Sequence, residues 1–432
     1  MKTYGICTLG CKVNTYESQS INEQLRNKGF IEKDFKDICD IYIIFTCAVT
    51  NVAASKSRKM IHSAISRNPD AIICVVGCYV QVDVENLAKE DKIDILIGTK
   101  YKDKLADYIE QYQNERINKV ESLANIGFEN LDVKHFEHHT RAYLKIQDGC
   151  NQYCSYCIIP YARGHERSMD PQLVVSEARQ LSKTHHEIIL AGIHTGRYGK
   201  EYNYTLAKMI KEILANCPDL KRIRISSIEI TEIDDELIAL LQNDQRVAKH
   251  LHIPLQSGCD DTLKRMNRPY TTKEFLDRIT DIRNRVSDIS ISTDLIVGFV
   301  DESEEEFSKT YQFLKDCNFS FLHVFPFASK KGTKASLMKG QLSNDIKKQR
   351  VKTCLELSEK LKYKYEVNKL NKKVEVLVEG YENGYSYGYS SDYVYTYIEG
   401  EYATNSMVTC VIDHISDNKV YAKCGGMKDE IE

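Results

Sequence analysis

The sequence predicts an α/β fold in three parts: an N-terminal doubly wound parallel sheet, a central partial (βα)6 barrel and a small C-terminal all-β barrel. Apolar runs alternate with amphipathic helical stretches over residues 1–120, which is the order of an open parallel sheet. After a polar linker at 121–140, the alternation restarts and continues to residue 370. Over residues 371–432, short apolar runs are separated by Gly and Asn, as is typical of a β barrel.

Buried parallel strands have continuous apolar sequences, and this pattern assigns the elements. In the first part the predicted strands are 4–9, 41–45 and 72–76, and the predicted helices are 16–28, 53–67, 84–89 and 102–119. In the second part the predicted strands are 142–146, 187–190, 222–226, 250–253, 289–296 and 321–325. Helices are predicted between them, for example at 174–183, 205–215 and 272–285, and a long basic helix at 344–373. Sites in such folds form at the C-terminal ends of the strands.

Composition restricts the function classes. The chain has 432 residues and a formal net charge of −3, so any contact with nucleic acid would depend on local patches. The sequence has no apolar run long enough to span a membrane and no signal-peptide pattern, so we expect a cytoplasmic protein without a membrane partner. Its 15 cysteines would stay reduced there, which favours metal binding or catalysis over disulfides.

Three cysteines follow the predicted strand 142–146 at C-x3-C-x2-C spacing: Cys150, Cys154 and Cys157. Three thiolates can hold a [4Fe–4S] cluster with its fourth iron open, whereas electron-transfer clusters use four cysteines. An open iron can chelate S-adenosylmethionine (SAM), whose reductive cleavage releases a 5′-deoxyadenosyl radical. The alternative is a zinc site, which needs four ligands and usually has paired C-x2-C spacings. Tyr156 is suited to packing against the adenine of SAM.

A second set of cysteines, Cys11, Cys47 and Cys78, directly follows the three predicted strands of the first part. Because parallel strands end at one edge of a sheet, their thiolates should converge there. Gly10 and Gly77 would let the backbone turn beside a bulky group. The pattern predicts a second [4Fe–4S] cluster whose open iron is available to a sulfur species. The alternative is three buried cysteines at strand ends.

Together these motifs resemble those of the radical SAM methylthiotransferases, over nearly the whole chain. The segments that carry the resemblance are 8–14, 46–50, 77–79, 148–164, 224–229, 252–258 and 264–268. The resemblance implies an N-terminal cluster domain, a radical SAM barrel and a C-terminal TRAM domain. It also implies that sulfur is inserted at an unreactive C–H bond and then methylated, with one SAM giving the methyl group and another the radical. The N-terminal cluster would hold the sulfur to be transferred.

The family divides by substrate: isopentenyladenosine in tRNA, threonylcarbamoyladenosine in tRNA, or an aspartate of ribosomal protein S12. The Leu-Gly-Cys-Lys-Val-Asn sequence around Cys11 resembles the bacterial threonylcarbamoyladenosine branch, whereas the others tend to have Gly-Cys-Gln-Met-Asn or Gly-Cys-Pro-Lys-Asn. The resemblance therefore implies 2-methylthio addition to N6-threonylcarbamoyladenosine at position 37 of tRNA. It also implies an electron donor such as flavodoxin or ferredoxin, and a sulfur source.

Some positions depart from the family pattern, although none of them is a predicted cluster ligand. One of these is His194, which stands where Asn is common. The departures bear on the residues that contact SAM, for which we select Glu187, Gly192 and Gln256 in addition to Tyr156. The sequence identifies no general base.

Features that would contact RNA are unevenly distributed. The segment 371–432 has five lysines, no arginine and eleven acidic residues, which is a poor basis for binding phosphates. Its alternating tyrosines could stack bases or form half-buried faces of a barrel. The basic helix is the better phosphate candidate, with a solvated charged face as its alternative. In the linker, His135, His138 and His139 could bind a metal, but a solvated connection is favoured.

Three classes of function therefore remain. The first is tRNA methylthiotransfer at position 37, on threonylcarbamoyladenosine or isopentenyladenosine. The second is modification of protein S12, since an acidic C-terminal barrel suits a basic protein. The third is a non-catalytic iron–sulfur protein that binds RNA or senses redox state, against which the barrel and the three-cysteine cluster argue.

Overall fold

The computed structural model describes residues 1–424, and its first part is a six-stranded parallel sheet. The strands are β1 (Thr3–Thr8), β2 (Ile31–Glu32), β3 (Ile41–Thr46), β4 (Ile72–Gly77), β5 (Ile95–Ile97) and β6 (Ile117–Lys119), in the spatial order β2-β1-β3-β4-β5-β6. The helices are α1 (Lys12–Asn27), α2 (Asn51–Arg67), α3 (Cys78–Leu87) and α4 (Leu105–Glu110). β3 and β4 are buried throughout because helices cover both faces of the sheet, which explains their continuous apolar sequences.

The three predicted strands are confirmed, but several helices differ from the prediction. α1 and α3 begin several residues early, so that Cys11 precedes the first turn of α1 and Cys78 opens α3. The helix predicted at 102–119 is wrong, because the chain forms a short turn, then α4, and then β6. Asn114 has a φ of 63°, a left-handed conformation that an α-helix cannot continue through. Beyond it, Ile117 pairs with Ile95 at the edge of the sheet.

The central part repeats strand and helix, and its six predicted strands are all present. They are β7 (Arg141–Lys145), β10 (Glu187–Ala191), β11 (Arg222–Ile225), β12 (His250–His252), β13 (Ser290–Val297) and β14 (Phe321–Pro326), while β8 (Gln147–Asp148) and β9 (Arg167–Ser168) form a small antiparallel pair. The helices are α5 (Ile159–Arg163), α6 (Pro171–Leu181), α7 (Leu206–Asn216), α8 (Asp235–Asn243), α9 (Asp260–Arg265), α10 (Thr272–Arg285), α11 (Glu304–Cys317) and α12 (Asn344–Val367). The strands form two parallel sheets, β11-β10-β7 and β12-β13-β14. A bridge between Ile223 and Val247 brings the segment before β12 alongside β11.

The last part is a closed barrel of five strands. They are β15 (Lys373–Glu382), β16 (Tyr385–Ser390), β17 (Tyr395–Glu399), β18 (Met407–Ser416) and β19 (Lys419–Lys423), in the order β15-β16-β17-β19-β18. The helix predicted at 344–373 ends at Val367, because Lys373 already belongs to β15. Residues 425–432 of the predicted C-terminal domain lie outside the described part of the chain.

The segment 121–140 contains no helix or strand, but it is not simply a solvated connection. Leu131, Val133 and Phe136 are buried in the core of the central part, because the chain passes over that core on its way from the first sheet. In the described residues, the three linker histidines do not form a ligand set; His138 instead lies near two carboxylates that bind Arg26. Among residues 1–424, no helix combines the length and apolar character needed to cross a membrane.

Candidate active site

The first cysteine triad lies at the C-terminal edge of the N-terminal sheet. Cys11, Cys47 and Cys78 follow β1, β3 and β4, which are adjacent in the sheet. Burial raises the pKa of the Cys78 thiol to about 11, an effect that Arg163 opposes and that Cys11 and Cys47 reinforce. The three sulfur atoms are therefore close enough to interact electrostatically. A bound group of metal cations would relieve this repulsion and favour the thiolates.

Two side chains join the loops that carry this triad. The Asn14 amide donates hydrogen bonds to the carbonyls of Leu9, at 2.7 Å, and Thr46, at 3.0 Å. The Thr46 hydroxyl donates to the carbonyl of Val76 at 2.7 Å. The ends of β1, β3 and β4 are thus tied together next to the three cysteines, so the triad depends on contacts between residues far apart in the sequence.

Gly10 allows the loops of Cys11 and Cys47 to approach each other. Its φ is 110°, and a Cβ atom there would lie 2.9 Å from the Cβ and 3.2 Å from the Sγ of Cys47. A side chain would therefore meet both a strained backbone and a cysteine of the triad. The expectation that glycine is needed beside this triad is confirmed at Gly10.

The second triad lies in one loop between β8 and α5. Gly149 precedes it with a φ of 71°, and a Cβ there would lie 1.9 Å from the carbonyl oxygen of His165. Inside the loop, the Cys157 amide donates to the Cys154 carbonyl at 3.0 Å. At its start, the Cys150 amide donates to the Gly164 carbonyl at 3.1 Å. The close spacing of the cysteines thus results from a compact local turn.

The loop is held from outside by the segment that follows α9. The Ser155 amide donates to the Met266 carbonyl at 3.0 Å, and the Ser155 hydroxyl donates to the Arg265 carbonyl at 2.8 Å. The Asn267 amide donates to the Tyr153 carbonyl at 3.0 Å. This segment therefore fixes the cysteine loop from more than a hundred residues away.

Several polar groups face the sulfur atoms of the second triad. Arg268 donates through Nη1 to the Sγ of Cys154 at 3.3 Å, and its other edge pairs with Glu229. His194 Nδ1 lies 3.5 Å from the Sγ of Cys150, and its Nε2 lies 2.8 Å from Glu232. Such donors stabilise sulfur ligands and orient them. Arg268 and His194 are site residues whose role the sequence did not reveal.

The cysteines fit iron–sulfur clusters better than single metal ions. All six are among the described residues, yet in neither triad do the three sulfur atoms all lie within 4.8 Å of one another. Sulfur ligands of one tetrahedral zinc ion would be about 3.8 Å apart, for Zn–S bonds of about 2.3 Å. The wider spacing and the N–H donors directed at sulfur suit a larger cluster.

Arg163 connects the two triads. Its Nε donates to the Sγ of Cys78 at 3.2 Å, and its Nη2 donates to the Asn14 side chain at 2.7 Å. Its Nη1 bonds to Glu17 at 3.0 Å and to Asp148 at 3.1 Å. Asp148 directly precedes Gly149 and the second triad. One buried guanidinium therefore contacts Cys78 of the first triad and, through Asp148, the segment that leads into the second.

Arg163 belongs to a buried ionic network between the first sheet and the central part. Its members are the cations Lys102, Lys145, Arg163 and Arg167 and the acids Glu17, Glu129 and Asp148. Burial opposes ionisation of Asp148, but the surrounding cations hold its pKa well below the usual range. The network has one more cation than acids, which suits the negative charge of thiolate ligands nearby.

Three of the residues predicted to contact SAM lie on the side of the second triad. Tyr156 is part of the cysteine loop and packs edge-on against Phe299, with ring centroids 6.5 Å apart. Gly192 directly follows β10, where a Cβ would lie 3.0 Å from the Thr195 hydroxyl. Gln256 follows β12 with a φ of 67°. Contact with SAM stays a prediction for all three residues.

Glu187 does not belong to this group. It is the first residue of β10, and thus lies about 13 Å from the C-terminal end of that strand. Burial opposes its charge, but Arg224 and Arg222, at 2.7 and 3.0 Å, lower its pKa to about 2. Both arginines also bind carbonyls of the C-terminal barrel, such as that of Tyr389. The structure therefore gives Glu187 a role in domain packing, and does not support a SAM contact.

Comparison with known proteins separates the same regions. Residues 3–98 match the Uncharacterized protein family UPF0004, and residues 144–314 match the Radical SAM superfamily. The chain is similar in fold to the radical SAM methyltransferase TsrM of Kitasatospora setae, solved with cobalamin and a [4Fe–4S] cluster, at a TM-score of 0.54 and 12% identity over 75% of this chain and 72% of that one. The cobalamin-dependent radical SAM enzyme OxsB gives a TM-score of 0.51 at 14% identity, over 82% of this chain and 56% of that one.

Relatives with higher identity span both regions. A threonylcarbamoyladenosine tRNA methylthiotransferase MtaB of Bacillus subtilis is 43% identical over 88% of this chain and 85% of its own length. The MtaB of Aquifex aeolicus is 38% identical over 86% of this chain and 91% of its own length. A tRNA-2-methylthio-N(6)-dimethylallyladenosine synthase of Thermoanaerobacter is 33% identical over 87% of this chain and 82% of its own length. Since the matches include both cysteine triads, the chain is a member of the radical SAM methylthiotransferase family.

Proposed function

We propose that this enzyme is a tRNA N6-threonylcarbamoyladenosine(37) methylthiotransferase, which adds a methylthio group to C2 of the modified adenosine. The observation that carries the proposal is the contact made by Arg163, which donates to Cys78 of the first triad and bonds to Asp148, two residues before Cys150 of the second. Insertion of sulfur at a C–H bond needs a radical source and a sulfur carrier close together. The substrate follows from the relatives named MtaB, which are 33–43% identical over most of this chain.

In this proposal Cys150, Cys154 and Cys157 hold one [4Fe–4S] cluster, and the N-terminal triad holds another. With SAM bound, the cluster of Cys150, Cys154 and Cys157 would supply the 5′-deoxyadenosyl radical. The protein's own contribution is to place the groups and keep water out. Arg268 stabilises the thiolate of Cys154, and His194 does the same for Cys150. We retain Tyr156, Gly192 and Gln256 as proposed SAM contacts.

We further propose that β7, β10, β11, β12, β13 and β14 form a single partial (βα)6 barrel around this site. The C-terminal five-stranded barrel would be a TRAM-like domain that covers the N-terminal end of the larger one. Its contacts with Arg222, the first residue of β11, and with Arg224 support this placement. The proposed domain limits are 1–120, 121–140, 141–370 and 371–432.

A tRNA substrate requires a surface for the anticodon stem, and the C-terminal barrel offers aromatic rings for it. Its tyrosines are half-buried and cluster on the outside of the barrel, for example Tyr389, Tyr395 and Tyr397, with ring centroids 4.8 and 5.5 Å apart. Such rings can stack unpaired bases at about 1–3 kcal/mol each. We propose that this tyrosine face contacts tRNA in the cytoplasm.

The basic helix α12 contributes less than its sequence indicates. Lys347 packs over the Phe327 ring at 5.3 Å, and Arg350 pairs with Glu302 at 2.8 Å. Beyond the helix, Lys369 pairs with Asp392 at 2.7 Å. These three cations stabilise the fold, so only the remaining exposed lysines are available for phosphates.

Two measurements test the proposed function. Anaerobic reconstitution should give about eight irons per chain, and reduction with SAM should yield 5′-deoxyadenosine. In a strain lacking the gene, mass spectrometry of tRNA nucleosides should show loss of the methylthio group from threonylcarbamoyladenosine and its return on complementation. Loss from isopentenyladenosine, or from protein S12, would assign the enzyme to another branch. Flavodoxin or ferredoxin and a sulfide source are the proposed partners for turnover in vitro.

A further inference from the structure

A small cavity lies between the strands of the central part, and its lining residues Lys12 and His323 are exposed to solvent. Its volume is about 130 Å³, a few water volumes of about 30 Å³ each, which suits one small amino-acid moiety. Residues two apart on each strand share a face, and three such pairs line the cavity. They are Arg224 and Ser226 at the end of β11, His250 and His252 on β12, and Phe321 and His323 on β14.

The other two sides of the cavity come from the two terminal parts of the chain. Lys12, the residue after Cys11, lines the cavity from α1. Tyr393 of the C-terminal barrel lines it from the other side and stacks on His250, with ring centroids 4.5 Å apart at 13°. The cavity thus extends from the first cysteine triad toward the C-terminal barrel, through the central part.

The cavity lining carries cations and no carboxylate. Arg224 already binds Glu187 and two carbonyls of the C-terminal barrel. Lys12 has no such partner, because no carboxylate oxygen within residues 1–424 lies within 4.0 Å of its ammonium group. Asp294, on the same face as His323, is paired with His252 at 3.1 Å.

His250 gives a second, independent indication of a ligand. It is buried, and its Nε2 lies 2.9 Å from the Ser292 hydroxyl. Its Nδ1 is also buried and has no hydrogen-bond partner among the described residues. A buried polar atom without a partner costs free energy unless a ligand satisfies it. A polar occupant would satisfy the Nδ1 of His250, and an anionic one would also pair with the ammonium of Lys12.

We infer that this cavity binds the threonyl end of the substrate, with Lys12 pairing with its carboxylate and His250 or His323 bonding to its hydroxyl or carbamoyl group. This inference rests on the proposed function and deepens it. The threonylcarbamoyl group has the free carboxylate that the cavity lacks, and Lys12 lies next to Cys11, where the adenine must meet the sulfur. An isopentenyl group would leave the ammonium and the imidazole without partners. Lys12 would thus select the substrate branch.

The test compares two synthetic anticodon stem-loops that carry threonylcarbamoyladenosine at position 37, one with the free acid and one with its methyl ester. The wild-type holoenzyme should prefer the acid by at least about tenfold in kcat/KM, since hydrogen bonds to charged groups have this strength. Lys12→Gln should bring the ratio of kcat/KM for the acid to that for the ester to about one, because the ammonium is gone. Lys12→Arg should keep the preference for the acid. An unchanged preference in Lys12→Gln overturns the inference.

A matched control removes a different lysine near the same triad. Lys330 lies outside the cavity and close enough to Cys47 for the two to interact electrostatically. Lys330→Gln should therefore leave the preference for the acid unchanged. Iron content and 5′-deoxyadenosine formation without RNA would show that each variant retains its clusters. A lost preference in Lys330→Gln would mean that general charge near the triad is responsible, and would contradict the role of Lys12.

A second variant keeps the test valid if Lys12→Gln loses iron. His323→Asp places a carboxylate in the cavity from β14 and leaves the sequence around Cys11 intact. It should neutralise Lys12 and abolish the preference for the acid, whereas a retained preference overturns the inference. A wild-type enzyme that methylthiolates neither RNA would contradict the proposed function and this inference with it. Wild-type turnover with an unaltered preference in the variants would overturn the inference alone.

Discussion

The two cysteine triads are built in opposite ways. Cys150, Cys154 and Cys157 belong to one loop of eight residues, whereas the N-terminal cysteines come from three strands and are 67 residues apart from first to last. The local triad is recognisable from its spacing, but its loop needs the distant segment 265–268 to hold it. The dispersed triad forms only when the strands of the whole sheet have come together. A local motif thus defines the ligands of a site, and long-range contacts define its geometry.

The largest effect should come from removing one ligand from either triad. Cys154→Ala should abolish cleavage of SAM, because two thiolates cannot hold the cluster that binds it. Cys47→Ala should keep that cleavage and lose methylthio transfer. Both outcomes are measured as 5′-deoxyadenosine and as methylthiolated nucleoside. Cys74→Ala, in the core of β4, is the control and should keep both; loss of both activities in Cys47→Ala would indicate that the triads are not separate.

The link between the triads can be broken at Arg163. Arg163→Met removes one of the two cations that Glu17 and Asp148 share, the other being Lys145, and should lower the free energy of unfolding by about 1.5–3 kcal/mol. Urea denaturation under anaerobic conditions measures this change. Arg163→Lys keeps the charge but cannot reach both sites, so its loss should be smaller. A loss below about 1 kcal/mol in Arg163→Met would show that the two parts are held together by other contacts.

Glycine substitutions compare the tightness of the two triads. Gly149→Ala directs its Cβ at a backbone carbonyl only 1.9 Å away, whereas Gly10→Ala meets Cys47 at 2.9 Å. Gly149→Ala should therefore cost more, about 3 kcal/mol or above, and Gly10→Ala about 1–3 kcal/mol. Each should reduce iron binding at its own triad.

Gly29→Ala supplies the reference for these two variants. Gly29 also has a positive φ, 83°, but no atom of residues 1–424 lies within 4 Å of an added Cβ. Its substitution should cost only the backbone strain, about 1–2 kcal/mol. The excess over this value measures the clash, and equal losses at all three positions would contradict the close packing around the cysteines.

The smallest effect concerns the pH dependence of the interface between α1 and α6. Glu177 accepts hydrogen bonds from the Tyr16 hydroxyl, at 3.1 Å, and the Val133 amide, at 3.3 Å, and burial raises its pKa from 4.5 to about 8. Because the folded protein keeps a proton that the unfolded chain loses, stability should fall as pH rises from about 4.5 to about 8. Glu177→Gln should reduce the dependence of the free energy of unfolding on pH, measured by denaturation between about pH 5 and about pH 8. An unchanged slope would assign the pH dependence to other groups.

The sequence predicted the strands well because burial on both faces requires continuous apolar runs, as in β3 and β4. It predicted the starts of α1 and α3 poorly, since α1 begins directly after Cys11 and α3 begins at Cys78, and the pattern assigned both cysteines to loops. The break at Asn114 depends on a left-handed residue, and Asn is only one of several residues that adopt it.

The site residues also differ in how well the sequence indicated them. The six cysteines of the two triads were selected from local spacing and strand order, and their role as cluster ligands stays a proposal. Arg163, Arg268 and Lys12 were not assigned roles, because a charged residue in a sequence gives no sign that it will be buried beside a distant cysteine. Their positions within the recognised segments 8–14, 148–164 and 264–268 were the only available signal. Glu187 was misplaced because it begins the predicted strand 187–190, whereas sites in such folds form at the C-terminal ends of the strands.

The stacking of Tyr393 on His250 has a consequence for the order in which the protein becomes functional. Tyr393 belongs to the last part of the chain to be synthesised, and it lines the cavity that Lys12, one of the first residues, lines from the other side. A ribosome-bound or truncated chain that ends before β15 can contain all six cysteines and still leave this cavity open to water. The cysteine sites can therefore be assembled while the cavity beside them still lacks the ring that stacks on His250.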